Sequence, residues 1–280
     1  MIYFYLVIAG VIWGLNIIVV KMNSLFFHPL FLICLKMIIS TLSMGIYLGF
    51  THHCLIKVSI KYMIIDANLV NVLNFICTYF AIFLLSGCTS ATLNCLSPII
   101  MIILVFIFER KISYQDIILL VLGLLGFLIT IRFQVKSLSL GHYLMLSGLV
   151  LYNGGNYLMK KRELQDVLVY NFYLLFLSMI ELIIICVFIN QNMIIKTVDT
   201  LSLWLLILTS GIGYAYIQSI YFLAIKQIGV IKTSFFLSLN PIFTCLFSFF
   251  ILHEQMSQYA IVGFLVIIYT LFLKYHFSSK

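Results

Sequence analysis

Charge is what this 280-residue sequence has least of. Asp, Glu, Lys and Arg together make up 9% of it, against about 25% in a soluble domain. So small a charged fraction cannot cover a water-facing surface, and a hydrophobic content of 64% suits a bilayer. Proline occurs only three times, and the apolar runs are long and do not alternate with polar residues. That excludes a β-barrel and leaves helices. A Walker-type phosphate loop is absent, so no nucleotide-driven motor is expected. The cysteines at 34, 54, 77, 88, 95, 186 and 245 lack zinc-site or redox spacing. They read as buried small hydrophobes, and no metal or cofactor is expected.

What is present is length. A helix crossing the hydrocarbon needs about 20 apolar residues. Runs of that kind lie at 2–20, 30–50, 64–85, 88–108, 115–131, 141–159, 168–189, 201–224, 232–252 and 258–276. The expected fold is therefore an all-α integral membrane protein with ten transmembrane helices. The first run has no basic n-region and no cleavage site after it, and reads as a retained helix.

The second half repeats the first. Ala81–Ile99 aligns with Ala224–Ile242 at an offset of 143, with Ala-Ile and Pro-Ile shared at the two ends. At an offset of 140, Trp13-Gly14-Leu15-Asn16 falls on Asn153-Gly154-Gly155-Asn156, and Lys21 falls on Lys161. Residues 1–137 and 138–280 are thus expected to form two five-helix repeats. An odd number of crossings turns the second upside down, the arrangement that builds alternating access around a shared site.

Orientation follows from the basic residues of the loops. With a cytoplasmic N-terminus the inside receives Lys57, Lys61, Arg110, Lys111, Lys160, Lys161, Arg162, Lys226, Lys232, Lys274 and Lys280; the outside receives Lys21, Arg132, Lys136 and Lys196. Both termini are therefore expected inside, in a multi-pass cytoplasmic (inner) membrane protein. The net charge of +8 reflects this topology and requires no nucleic-acid partner.

Polar residues in hydrocarbon need partners and are the functional candidates. Asn71, Asn74 and Thr78 share one face of the third run, and Tyr214, Gln218 and Tyr221 one face of the eighth. At offset 143, Asn71 matches Tyr214 and Thr78 matches Tyr221. The two stripes are expected to line a common midplane cavity; interhelical hydrogen bonding is the alternative. Asn16 and Asn156 join them. Trp13 is either a stacking surface for a substrate or a lipid contact. Pro98 and Pro241 sit inside the fourth and ninth runs, each expected to kink its helix and free the carbonyl of Asn94 or Leu237. Ser97 and Asn240 precede them and count as substrate-binding candidates with Asn94.

Two charges stand deep in apolar runs. Lys36 is about 9 Å from the outer end of its helix and Glu181 about 12 Å. Lys36 is long enough to snorkel. Glu181 is the candidate proton-coupling group, with Lys36 its alternative partner in an ion pair. Glu109-Arg110 and His253-Glu254 terminate helices and read as structural.

In Trp13-Gly14-Leu15-Asn16, the basic Lys36, Ala81 and Ala224, and Pro98 and Pro241 followed by Glu109 and Glu254, the chain resembles the EamA-type branch of the drug/metabolite transporter superfamily over its whole length. The resemblance implies export or exchange of amino acids, nucleosides, nucleotide sugars or similar metabolites. It also implies a Pro–Glu spacing of thirteen, which Pro241 and Glu254 keep, whereas Pro98 and Glu109 are eleven apart.

The expected function is a secondary active carrier of a small polar or amphipathic metabolite, its partners being that small-molecule substrate and the lipid bilayer. The alternative is an exchanger of nucleotide-like or phosphorylated metabolites, which would want more cavity cations than Lys36. A membrane-embedded enzyme acting on a lipid-linked substrate is opposed by the lack of HExxH, GxSxG or paired intramembrane carboxylates. A channel is opposed by the duplicated, proline-bearing pattern. Gly45 and Gly49 form a GxxxG that could pack helices within the chain or in a homodimer.

Overall fold

The computed structural model describes residues 1–51, 59–110, 113–130, 138–162, 166–189, 194–196, 200–237, 240–254 and 258–278. Lys57, Lys111, Arg132, Lys136 and Lys280, which enter the charge count above, lie outside them, as does Cys54. Apart from one isolated bridge between Phe27 and Ile194, the regular structure of the described residues is helical. This is the arrangement by which a chain satisfies its backbone in lipid. Among the described residues, six helical stretches are long and apolar enough to cross a membrane: Ile2–Asn23, Pro29–Phe50, Ile60–Leu84, Gly87–Glu109, Val167–Ile189 and Thr200–Ile228.

The elements are α1 (Ile2–Asn23), α2 (Pro29–Phe50), α3 (Ile60–Ala67) joined through a π turn (Asn68–Val72) to α4 (Leu73–Leu84), α5 (Gly87–Asn94), α6 (Ser97–Glu109), α7 (Tyr114–Thr130), α8 (Leu140–Lys160) and α9 (Val167–Ile189). They continue with α10 (Thr200–Leu206), joined through a second π turn (Ile207–Ile212) to α11 (Gly213–Ile228), then α12 (Val230–Leu237), α13 (Asn240–Leu252) and α14 (Gln258–Ser278). The same order thus occurs twice: a helix interrupted by a π turn, a short helix, then a helix opening on Ser-Pro or Asn-Pro.

The prolines act differently from the expected kink. Pro98 is the second residue of α6, and α5 has already ended at Asn94. The fourth run is therefore two helices end to end, because proline has no N–H to give and suits a first turn. Pro241 likewise occupies the first turn of α13. The unequal Pro–Glu spacing is resolved at the other end of these helices. Arg110 (φ 54°) and His253 (φ 53°), 143 residues apart, both adopt the left-handed conformation that stops a helix. Glu109 stands just before its cap and Glu254 just after.

Small residues set how closely the helices meet. On α8, a Cβ at Gly141 would fall 2.8 Å from Leu85 Cγ, at Gly148 2.6 Å from Thr78 Cγ2 and at Gly155 2.5 Å from Val70 Cγ2. The falling order of partners shows α8 antiparallel to α4. Gly45 meets Phe172 of α9 in the same chain, while a Cβ at Gly49 would meet nothing within 4 Å.

Both ends of the bundle are tied electrostatically. Where α1 and α4 end together, Lys21 Nζ donates to the carbonyls of Ile82 (2.9 Å), Phe83 (3.3 Å) and Leu85 (2.7 Å). Beside it the Glu254 carboxylate accepts from the Gly87 and Cys88 amides, both at 3.2 Å, and from Ser248 at 2.5 Å. A cation on a helix C-terminus and an anion on the next N-terminus complement the two dipoles. At the far end Lys160 pairs with Glu109 at 2.9 Å. There Arg162 also grips Asp66 with two bonds, Nε to Oδ2 at 2.6 Å and a terminal nitrogen to Oδ1 at 2.8 Å. Tyr170 donates a further hydrogen bond to Asp66.

Asp66 is wholly buried. It corrects the count of charges in apolar runs, which the sequence reading limited to Lys36 and Glu181. Removing one member of a buried pair leaves the other charge uncompensated, at about 3–5 kcal/mol. Arg162→Met should therefore lower the midpoint of thermal unfolding in detergent sharply. Adding Asp66→Asn in the same chain should recover much of the loss. Equal unfolding of wild type and Arg162→Met would show the pair to be dispensable.

Candidate functional site

The first π turn carries Asn71, and the two polar stripes meet there. Tyr214 OH of α11 donates to Asn71 Oδ1 at 2.7 Å, and Asn71 Nδ2 donates to Ser178 Oγ of α9 at 3.0 Å. One side chain thus links three helices. The rest of the first stripe bonds back to its own helix: Asn74 Nδ2 to the Val70 carbonyl and the Thr78 hydroxyl to the Asn74 carbonyl, both at 2.9 Å.

The second stripe is less satisfied. Gln218 is fully buried, and among the described residues neither its amide nitrogen nor its oxygen has a hydrogen-bond partner. The Tyr221 hydroxyl is in the same position, its ring 5.8 Å from that of Tyr152. A buried polar group without a partner costs about 1–3 kcal/mol.

On α1, Asn16 donates to Ser210 Oγ in the second π turn. Trp13 stands edge-on to Tyr152 (5.7 Å between centroids) and Tyr214 (6.4 Å). A small cavity of about 40 Å³ lies here, between α1, α4, α5 and α8, bordered by Trp13, Asn16, Asn74, Thr78 and Asn94. The rings of Phe75 and Tyr79 complete its wall. It has room for a few waters, far below the 300 Å³ or more of an open ligand pocket. A larger cavity of about 360 Å³ lies elsewhere, between α2, α9 and α11, bordered by Met44, Tyr47, Leu168, Ala215 and Leu223. Its lining is mainly apolar, with Ser43, Tyr47, Tyr216 and Ser219 among it, and it suits an apolar or amphipathic body.

Other candidates lie off the small cavity. Ser97 is paired with Asn153, whose Nδ2 donates to its Oγ at 2.9 Å. Asn156 Nδ2 bonds the Tyr152 carbonyl at 2.9 Å, and its Oδ1 has no partner among the described residues. Asn240 is buried at the start of α13 with its Oδ1 also unpartnered there. Glu181 is half-buried on α9, next to the lipid-facing Ile180, Ile183 and Ile184, with Asn68 of the first π turn as its polar neighbour.

Lys36 does not snorkel. It is 3% exposed, and its ammonium lies over the rings of Phe75 (3.6 Å to the centroid), Tyr214 (3.9 Å) and Tyr79 (5.3 Å). It forms no ion pair with Glu181, which removes the alternative pairing of these two charges; its helix packs so that it faces α4 and α11. Ser178, Ser210, Asn153 and Phe75 escape the sequence reading. Isolated serines and one more phenylalanine in apolar runs carry no distinguishing signal, although Asn153 stands inside the aligned motif.

Among solved structures, one described only as a crystal structure of a protein shares the fold at a TM-score of 0.72, with 10% identity over 96% of this chain and 94% of that one. No curated protein sequence matches significantly. The model of the EamA-like transporter family matches residues 1–132 and again 139–275. With the two halves each matched in turn, and long apolar helices among the described residues, this multi-pass membrane protein belongs to the EamA-like transporter family.

Proposed function

We propose that the chain is a secondary active carrier that moves a small polar or amphipathic metabolite, of amino-acid or nucleoside type, across the cytoplasmic membrane by alternating access. In this reading it has ten transmembrane segments, with α5–α6 and α12–α13 each forming one broken crossing. The segments divide into two inverted five-helix units, 1–137 and 138–280, and both termini are cytoplasmic. The observation that carries the reading is the buried Gln218, whose amide nitrogen and oxygen have no partner among the described residues. A second observation supports the inverted duplication. Asn71 and Tyr214 are equivalent by the offset of 143 and bond to one another, as equivalent positions do when they lie on a two-fold axis. The antiparallel run of α8 against α4 agrees with this. The substrate path includes Trp13, Asn16, Asn71, Asn74, Thr78, Asn94, Ser97, Asn156, Tyr214, Gln218, Tyr221 and Asn240.

Gln218→Leu separates a substrate ligand from a packing residue. It deletes two unpartnered atoms, so stability should hold or rise. The lost substrate bond should lower counterflow efficiency about 10- to 100-fold in proteoliposomes, with the substrate found by a metabolite screen for thermal stabilisation. Loss of stability with unchanged counterflow would sink the assignment.

Topology is read by labelling in cells with an impermeant thiol reagent, in a background lacking native cysteines. Ser139→Cys should react from outside and Arg110→Cys should not; the reverse pattern inverts the orientation.

Proton coupling is assigned to Glu181. Glu181→Gln keeps the shape and cannot titrate, so gradient-driven accumulation should stop while exchange persists. Normal accumulation by this variant would remove Glu181 from the mechanism.

A further inference from the structure

We propose that Lys36 is the anion-recognition residue of the carrier, and that the substrate is a monocarboxylate with an aromatic or otherwise flat apolar body. This rests on the carrier reading and narrows its substrate class.

The starting point is an incomplete charge balance. Lys36 is as buried as the core around it, and no carboxylate of the described residues lies within ion-pair distance. Among the described residues its ammonium lies over the faces of Phe75, Tyr79 and Tyr214. Cation–π contacts recover some of what burying an ammonium costs. The rings therefore offset part of the cost and leave a preference for an anion. An anion of matching size would complete the site.

The surroundings say what kind of molecule carries it. Phe75 and Tyr79 form both the wall of the small cavity and the cage of Lys36. Trp13 lines the same cavity and stands edge-on to Tyr214. A carboxylate reaching the ammonium from the cavity side would leave its body among Trp13, Phe75 and Tyr79, surfaces that favour flat apolar groups. The amides of Asn16 and Asn74 on the same wall could bond one or two further polar groups.

Charge excludes the neighbouring classes. An aromatic box is the ordinary receptor for a cation, but here the protein's own tethered ammonium fills it, and a cationic solute would be repelled. A phosphate dianion calls for a bidentate Arg or several cations. Among the described residues Lys36 is the lone cation at this cage.

The test uses the full-length protein and four probes: 3-phenylpropionate, its neutral amide, 3-phenylpropylamine and phenylphosphonate. Binding is read by ligand-induced thermal stabilisation and by counterflow in proteoliposomes. Wild type should prefer 3-phenylpropionate over the amide by about tenfold or more, the range of a charge-assisted bond. Lys36→Arg should retain the preference and Lys36→Met should lose it. Removing a cation without an anion should leave the melting of Lys36→Met unchanged or raised, so loss of preference will not be confused with misfolding. Equal binding of acid and amide by wild type, or a preference that survives in Lys36→Met, overturns the assignment. Counterflow of uridine or glutamine without any response to the acid overturns it too, while sparing the carrier reading. Absence of counterflow by every probe and by a wider metabolite set overturns both.

Discussion

A polar atom in hydrocarbon has no water to fall back on, and this constraint organises the whole molecule. Asn23, Asn74, Asn153 and Asn156 each turn a side-chain N–H back onto a carbonyl four residues earlier, a bond available to a helix without outside help. Asn16, Asn71 and Asn171 instead reach serines on other helices. Such bonds are individually modest, about 0.6 kcal/mol in membranes. Their effect is geometric: each fixes the rotation of two helices about their axes. The atoms left over, above all those of Gln218, then become informative, because the same chain satisfies so many others.

The π turns belong to this account. Inserting a residue into a helix shifts the faces on either side of it and frees backbone groups locally. In the first, Asn71 is turned so that one side chain bonds Tyr214 and Ser178 together. In the second, Ser210 receives Asn16. The Ser40 hydroxyl donates to the Gly211 carbonyl in the same turn at 2.7 Å. The polar side chains of both turns, Asn71 and Ser210, are buried against protein.

Much of this is legible in the sequence, for definable reasons. Every apolar run listed by length contains helix, because length and apolarity are local properties. The Asn71–Tyr214 contact is legible too: helical spacing put each residue on a stripe, and the offset of 143 made the stripes equivalent. Legibility ends where the determinant is not local. Asp66 stands near the start of its run and looks like a boundary residue; its partner Arg162 is 96 positions away. Lys36 was expected to reach for the interface because a long side chain can. Only the packing of α2 against α4 and α11 shows three aromatic rings in its way. The prolines announced an interruption, but whether they bend one helix or start another depends on how the preceding turn ends.

The two ends of the bundle carry charged ties beside their apolar packing. At one end Lys21 and Glu254 bond backbone groups at the break between α4 and α5. At the other, Glu109 and Asp66 hold Lys160 and Arg162. The repeat places Lys21 on Lys161, but it is the neighbouring Lys160 that pairs with Glu109, so charge is used at each end in a different geometry. Apolar seals would lose their contacts outright on opening to water. The exposed Lys160–Glu109 pair can exchange its partners for hydration at small net cost, whereas the buried Asp66 cannot release Arg162 so cheaply. Between these ends lies the cavity of about 40 Å³. In the carrier proposed above, one rim would open while the middle, pinned where Tyr214 bonds Asn71, stays in register.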